Sequence, residues 1–306
     1  MTVDCLLKYL VMQKIILYYQ FADIRDPSLL MYWQRSLCEK LNLRGRIIIS
    51  EQGINGTLGG NIVDLKKYIN ETKQYSPLKD TDFKWSNGLR EDFPKLSIKV
   101  REEIVTFNAK PEIKLNERGI VGGGIKLKPS DLHKLLKEKA DEVIFFDGRN
   151  MHESKIGRFK GAITPRVETT REFIDEIEKP EYEKIKNKTV VTYCTGGIRC
   201  EVLSVLMKNR GFKEVYQLDG GIVKYGEKFK DEGLWEGSLY VFDGRISVKF
   251  SDKAKDIAEC IYCKSKTSHY INCANKQCNK LILVCEKCNK ETYCNKDSKN
   301  ATAIPT

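Results

Sequence analysis

The sequence predicts an α/β protein with three parts: an N-terminal α+β domain, a central domain in which helices flank a parallel sheet, and a small C-terminal zinc-binding module. Strand-like and helix-like segments alternate through the N-terminal third. The β-branched, aromatic run 189–193 leads through a glycine-bearing loop into a helical pattern, the strand-loop-helix order of parallel sheets. Seven of the eleven cysteines lie within residues 260–294, at metal-ligand spacings.

The expected boundaries follow from these patterns. We expect an N-terminal domain over residues 1–110, with a short leader to about residue 12, a linker over 111–128, a central domain over 129–235 and a cysteine-rich region over 236–306. The linker contains Pro111 and several glycines and has little hydrophobic periodicity.

The N-terminal domain is expected to follow the split βαβ, ferredoxin-like plan. Asp26 and Pro27 are typical of a helix start, and Asn55-Gly56 predicts a tight hairpin. The expected strands are 15–19, 46–50, 57–58, 83–85 and 96–100, and the expected helices are 27–41 and 63–72. Such a domain is an RNA-binding platform in some proteins and a neutral scaffold in others.

The composition restricts the location and the partners of the protein. No run of about eighteen uncharged apolar residues is present, so we expect no membrane span. Lys8 and Lys14 interrupt the apolar opening, which is therefore not expected to be a signal peptide. The clustered cysteines and a reactive thiol favour the reducing cytoplasm.

The net charge of +11 is unevenly distributed along the chain. Residues 129–250 carry 22 basic and 21 acidic side chains, so the excess lies in the two flanking regions. A basic excess outside residues 129–250 favours a partner with a long phosphate backbone, although a lysine-rich genome would also produce this excess.

The loop after the strand 189–193 has the composition of a thiolate-binding loop. At the start of a helix, unpaired N–H groups and the helix dipole favour an anion. We therefore predict that Cys194 is the catalytic nucleophile with a lowered pKa, although a plain core cysteine is the alternative. The remaining loop residues, predicted to bind the anion or substrate, are Thr195, Gly196, Gly197, Ile198 and Arg199.

Cys200 follows Arg199 at the start of the predicted helix. As a thiol close to Cys194, it is a candidate redox partner that would resolve an oxidised Cys194 as a disulfide. A packed helix residue is the alternative interpretation.

The C-terminal cysteines form two Cys-x2-Cys pairs at nearly zinc-ribbon spacing, because a two-residue gap lets both sulfurs reach one tetrahedral ion. The predicted ligands are Cys260, Cys263, Cys285 and Cys288, and Cys273 and Cys278 are further candidates. Whether Cys294 and His269 complete a second site stays open. We expect the zinc to be structural, with disulfides as the competing explanation.

Residues 129–235 resemble the rhodanese domain. The resemblance rests on Asp147-Gly148-Arg149 followed by Glu153, on the run Gly157-Arg158-Phe159-Lys160-Gly161-Ala162 and on the six-residue Cys194 loop. It implies a parallel sheet flanked by helices and a nucleophilic cysteine at the start of the loop. Related phosphatases place five residues between cysteine and arginine, and this loop places four.

Over nearly its whole length, the chain is similar to the tRNA uridine hydroxylase family. The resemblance is carried by the run 51–57, by Cys-Thr-Gly-Gly-Ile-Arg-Cys-Glu at 194–201 and by the cysteine-rich end. It implies that the wobble uridine in the anticodon region of certain tRNAs is converted to 5-hydroxyuridine, with molecular oxygen as co-substrate and Cys194 as the essential residue. The chain departs from the family in its leader before about Met12 and in lacking some cysteines near its end.

The histidines bear on the choice of mechanism. Iron oxygenases generally need two histidines and a carboxylate, but the only histidines are His133, His152 and His269, far apart in the sequence. No iron, flavin or NAD site is evident, and no obligate protein partner is indicated. We therefore hypothesise that the Cys194 thiolate adds to C6 of the uracil ring. Two alternatives remain: a thiosulfate-type sulfurtransferase with a persulfide on Cys194, and a noncatalytic rhodanese module.

Overall fold

The computed structural model describes residues 12–139, 142–289 and 292–294. The expected leader and the last residues of the cysteine-rich region lie outside the described residues. Among the described residues, no helix has the length and apolar character needed to cross a membrane.

The N-terminal domain is an α+β sandwich with one five-stranded sheet. Its strands are β1 (Gln13–Phe21), β2 (Arg44–Ser50), β3 (Gly53–Asn61), β4 (Asp82–Ser86) and β5 (Leu96–Val100), and its helices are α1 (Pro27–Lys40) and α2 (Ile62–Gln74). The strand order is β4-β1-β3-β2-β5, in which only β2 and β5 run parallel. The predicted ferredoxin-like plan is confirmed, as is the cap: Asp26 accepts the Leu29 N–H at 2.9 Å.

The predicted hairpin is present, because β2 and β3 pair antiparallel, but its turn is not at Asn55-Gly56. Both residues lie inside β3, and the turn falls at Glu51-Gln52, just before Gly53. Gly53 has a φ of +136°, and an added Cβ there would lie 2.0 Å from the Gln20 carbonyl oxygen. Gly56 is needed for packing, because a Cβ would meet the ring of Tyr18 at 2.3 Å.

The central domain is a parallel sheet flanked by helices, as predicted. The sheet strands are β8 (Ile125–Leu127), β9 (Val143–Asp147), β11 (Thr189–Tyr193) and β12 (Glu214–Leu218), with a separate strand β10 (Gly157–Phe159). The sheet has the order β8-β12-β11-β9, with all three pairs parallel. The helices are α3 (Pro129–Glu138), α4 (Met151–Ile156), α5 (Phe173–Ile177), α6 (Ile198–Asn209) and α7 (Gly221–Phe229).

The segment expected to be a linker contains regular structure. A short hairpin pairs β6 (Leu115–Asn116) with β7 (Gly119–Ile120), and β8 then forms an edge of the central sheet. These strands have only two or three residues each. Runs this short show no hydrophobic period, which is why the sequence indicated only a linker.

The C-terminal region begins by packing back onto the central domain. β13 (Trp235–Gly237) pairs with β10, and β14 (Leu239–Tyr240) pairs with β15 (Ser247–Val248). Further on, β16 (Tyr270–Asn272) pairs with β17 (Leu281–Leu283). The cysteines flank this last pair, and the buried ones share a small apolar cluster with Ile282 and Val284.

Candidate active site

Cys194 lies at the carboxyl end of the fully buried strand β11, and α6 begins four residues later. The intervening loop turns through Gly197, which has a φ of +104°. This turn directs the Gly197 N–H toward the Cys194 Sγ atom, at 3.2 Å. The sequence-predicted arrangement of a thiol in a nest of backbone N–H groups is therefore present.

The pKa of Cys194 is lowered although the side chain is fully buried. Burial by itself raises the pKa, because it penalises the thiolate. A hydrogen bond from the Cys200 thiol, the positive charge of Arg199 and the backbone N–H groups of Cys200 and Gly197 act in the opposite direction. Together they lower the pKa of Cys194 to about 6, so the thiolate predominates at neutral pH.

Cys200 faces the same site from the first turn of α6. It is fully buried, and its Sγ lies 3.7 Å from the Thr192 hydroxyl oxygen. Burial and the neighbouring Cys194 thiolate raise the pKa of Cys200 well above its usual range. Cys200 therefore stays protonated and serves as a hydrogen-bond donor to Cys194.

Arg199 forms a buried ion pair with Glu153 rather than pointing freely into the loop. Its guanidinium donates to both carboxylate oxygens of Glu153, with the Nη2–Oε1 distance at 2.8 Å, and to the Thr195 hydroxyl at 3.2 Å. Glu153 is fully buried near the start of α4. Burial raises the pKa of Glu153, but the charge and hydrogen bonds of Arg199, together with the charges of Arg149 and His152, outweigh this and lower it, so the pair is ionised.

Asp147 and Arg149 tie down the turn that follows β9. The Arg149 guanidinium donates to both Asp147 oxygens, at 2.9 and 2.7 Å, and also to the Gly157 carbonyl oxygen. The Tyr193 hydroxyl donates to Asp147 at 2.9 Å. This network is fully buried, so these two residues hold the strand ends together rather than contacting a substrate.

Two elements cover the catalytic loop. The N-terminus of α7 donates to the loop carbonyls: the N–H of Ile222 to Cys194 at 2.9 Å and the N–H of Val223 to Thr195 at 3.1 Å. On another side, strand β1 of the N-terminal domain lies against the two glycines. A Cβ at Gly196 would meet the Leu17 side chain at 2.8 Å, and one at Gly197 would meet the Tyr19 hydroxyl at 3.0 Å.

The C-terminal cysteines form two groups that could hold metal ions. Within each group the sulfur atoms lie within 4.8 Å of one another. The groups are Cys260, Cys263, Cys285 and Cys288 in one, and Cys273, Cys278 and Cys294 in the other. Tetrahedral zinc with bonds of about 2.3 Å requires sulfurs roughly 3.8 Å apart, and the Cys263 and Cys285 sulfurs are 3.5 Å apart. His269 belongs to neither group. Its Nδ1 lies 2.9 Å from the Val284 carbonyl oxygen.

Comparisons with known proteins assign the three parts of the chain. Family models match in succession: a UPF0176 acylphosphatase-like domain over residues 13–104, a rhodanese-like domain over 128–228 and a rhodanese C-terminal region over 236–298. The tRNA uridine(34) hydroxylase of Corynebacterium jeikeium (strain K411) is 58% identical over 275 residues, which cover 90% of this chain and 89% of that protein. The protein of the same name from Arthrobacter sp. (strain FB24) is 57% identical over 280 residues, covering 90% and 94%. The chain belongs to the tRNA uridine(34) hydroxylase family.

The hydroxylase and rhodanese resemblances predicted from the sequence are thus confirmed. In this member of the hydroxylase family, the structure brings Cys194, Arg199 and Cys200 together as predicted. It separates Cys273 and Cys278 from the first metal group and joins them to Cys294.

Sequence reasoning missed three contributions to the hydroxylase-family site. Glu153 appeared only as part of a motif, and its place as the partner of Arg199 depends on how β9 and β11 pair. Leu17 and Tyr19 belong to a different domain and carried no signal. Of these contributions, only the Gly220-Gly221 pair after β12 is visible as a sequence signal. The structure shows why glycine is needed there, because a Cβ on Gly221 would lie 2.4 Å from the Cys194 carbonyl oxygen.

Proposed function

We propose that this protein hydroxylates C5 of the wobble uridine in the anticodon of tRNA, with molecular oxygen as the oxygen source and Cys194 as the nucleophile. The observation that carries the proposal is the Cys194 thiol, whose pKa is lowered to about 6 by donors that surround it. It occurs in a chain 54–58% identical to proteins named tRNA uridine(34) hydroxylase. That name favours hydroxylation over sulfur transfer.

The chemistry begins with addition of the Cys194 thiolate to C6 of the uracil ring. The new C–S bond places carbanion character at C5, stabilised as an enolate on the C4 oxygen, and C5 then reacts with oxygen. One oxygen atom stays on C5 and the other leaves as water, which consumes two protons and two electrons from a thiol reductant. Loss of the C5 proton expels the Cys194 thiolate from C6 and restores the C5–C6 double bond. Backbone N–H groups of the loop would stabilise the enolate oxygen.

The charge distribution supports a tRNA substrate. The net charge of +11 is carried mainly outside the nearly neutral central domain, in the regions that flank it. The N-terminal domain also lies directly on the catalytic loop, through Leu17 and Tyr19. A phosphate backbone bound across this domain would therefore pass close to Cys194.

Nucleoside mass spectrometry tests the proposal. Purified protein, incubated with unmodified tRNA, oxygen and a thiol reductant, should produce 5-hydroxyuridine at the wobble position. Cys194→Ser should lower the rate by at least about 10³-fold, because a hydroxyl cannot replace the thiolate. Exclusion of oxygen should abolish the product.

Two further readouts separate this reaction from alternatives. Anticodon stem-loops with 5-fluorouridine at the wobble position should form an adduct with the wild type and not with Cys194→Ser, and its absence would rule out attack at C6. Turnover of thiosulfate without tRNA, through a cyanide-cleavable persulfide, would instead identify a sulfurtransferase.

We also propose that the first cysteine group holds one structural zinc ion. Four thiolates fill a tetrahedral shell and leave no position for a substrate. Cys285→Ser should therefore lose that zinc and unfold the cysteine-rich module, measured as metal content and as loss of its thermal transition. Cys278→Ser, in the second group, is the matched control and should retain the zinc ion of the first group. A wild-type protein purified without chelator that contains no zinc would contradict the assignment.

A further inference from the structure

A cavity of about 360 Å³ lies between the N-terminal domain, α7 and the hairpin formed by β14 and β15. Thr195, the residue after Cys194, forms part of its wall. Leu17 lines the cavity and also lies against Gly196 of the loop. The cavity thus reaches the catalytic loop at Thr195, with Leu17 between it and Gly196. No sequence motif indicated it.

Three aromatic side chains line this cavity: Trp85, Phe242 and Phe250. Phe250 lies directly on α7, because a Cβ at Gly226 would come within 2.1 Å of its ring. Phe242 is 47% exposed, so its ring is accessible to a ligand that enters the cavity. Such rings are the surfaces on which extruded nucleobases stack.

The charged residues of the cavity wall are predominantly basic. Its acidic residues are Glu227 and Asp243, and its basic residues are Lys14, Lys84, Lys230, Arg245 and Lys249. Arg245 is held by both carboxylate oxygens of Asp243 and donates to the Ser86 hydroxyl at 2.9 Å. Aromatic faces combined with a positive excess match a nucleotide, which has a flat base and an anionic phosphate.

Lys230 is the most informative of these basic residues. It follows α7 with a φ of +47° and a ψ of −127°, a conformation that normally requires glycine. Its side chain is exposed and makes no ion pair with any residue in the described part of the chain. Lys230 therefore presents an ammonium group without an ion-pair partner among the described residues at the cavity wall, on a backbone conformation that glycine would also adopt.

We infer that this cavity receives the uridine that Cys194 modifies, extruded from the anticodon loop, with its base against Phe242 and its phosphate at Lys230. The inference rests on the proposed function and adds a binding site to it. Ser86, Asn87 and Thr195 line the same cavity and offer polar groups for the imide edge of uracil. A shift of Leu17 opens the way from the cavity to the loop.

Photocrosslinking locates the base independently of catalysis. An anticodon stem-loop with 4-thiouridine at the wobble position is bound to full-length Cys194→Ser protein and irradiated. We expect crosslinked peptides that contain Phe242 or Trp85. Crosslinks found only outside the cavity would overturn the inference even if the wild type hydroxylates tRNA, and crosslinks in the cavity would support it even if no hydroxylation occurs.

The Lys230→Gly variant tests the contribution of the side-chain charge without disturbing the backbone conformation. Glycine fits the observed φ and ψ, so the melting temperature should stay unchanged or rise. Loss of a phosphate contact should weaken binding of the stem-loop, and the slope of log affinity against log salt should fall by about 1. An unchanged affinity and slope would contradict the phosphate role.

The matched control is Lys264→Gly, which makes the same substitution at a lysine with a φ of +63°, outside the cavity. It should leave stem-loop affinity and its salt dependence unchanged. For the stacking contact, Phe242→Ala should weaken binding about tenfold, and Phe242→Tyr should restore it. Equal affinity of the alanine and tyrosine variants would exclude stacking on this ring.

Discussion

Iodoacetamide should alkylate Cys194 with a rate that rises through a midpoint near pH 6. The reactive species is the thiolate, and its surrounding donors lower the pKa of Cys194 to about 6. A free cysteine has a pKa of about 8.5, so at pH 7 the thiolate fraction should be more than about tenfold higher than in a loose peptide. The rate is followed by mass spectrometry of the peptide that contains Cys194, across a series of pH values.

Two Cys200 variants test whether the Cys200 side chain lowers the pKa of Cys194. Cys200→Ala removes the side-chain donor to Cys194, so the midpoint should move to higher pH, whereas Cys200→Ser keeps a donor and should move it less. If Cys200→Ser also retains full multiple-turnover hydroxylation, Cys200 is not a resolving thiol. A wild-type midpoint near that of free cysteine would contradict the thiolate model of the site.

Glu153→Gln should destabilise the protein by about 3–5 kcal/mol at pH 7, because it leaves the Arg199 charge buried without its counterion. Both side chains are almost completely excluded from water, and the guanidinium contacts both carboxylate oxygens. The free energy of unfolding is measured with urea. The rate of hydroxylation should also fall, because the Glu153 carboxylate accepts a hydrogen bond from Thr195 of the catalytic loop and Arg199 donates to the same hydroxyl.

The pH dependence of this effect has a definite sign. The pKa of Glu153 is lower in the folded protein than its ordinary value. Its contribution to stability is therefore present above the unfolded pKa of about 4.3 and is lost as the pH falls toward the folded pKa. The difference between wild type and Glu153→Gln should shrink in that acidic range.

Two controls accompany the Glu153 measurement. Glu183→Gln breaks an exposed ion pair with Lys186 and should change stability by less than about 1 kcal/mol. The double variant Glu153→Gln, Arg199→Met should be less destabilised than the two single changes added together. Additive effects would show that the two side chains are not coupled.

Local sequence determined the main features of this protein. The apolar run 189–193, the glycines after Cys194 and the helical pattern that follows form one contiguous segment, so the thiolate loop could be predicted without knowledge of the rest of the chain. The same holds for the Asp26 cap and for the paired Cys-x2-Cys spacings. In each case the physical cause acts over a few residues: hydrogen bonds at a helix end, or the reach of two sulfurs to one ion.

Features that depend on distant contacts were decided only by the tertiary structure. Asn55-Gly56 has the composition of a turn, but both residues pair with β1 on one side and with β2 on the other, so they lie inside a strand. Glu153 meets Arg199 because β9 and β11 are neighbours in the sheet, and Leu17 meets the loop because two domains pack together. The cavity beside Thr195 has walls from three regions of the chain, so no local pattern encodes it. Sequence periodicity reports which side of a segment is buried, whereas the identity of what covers it follows only from the packing of the whole chain.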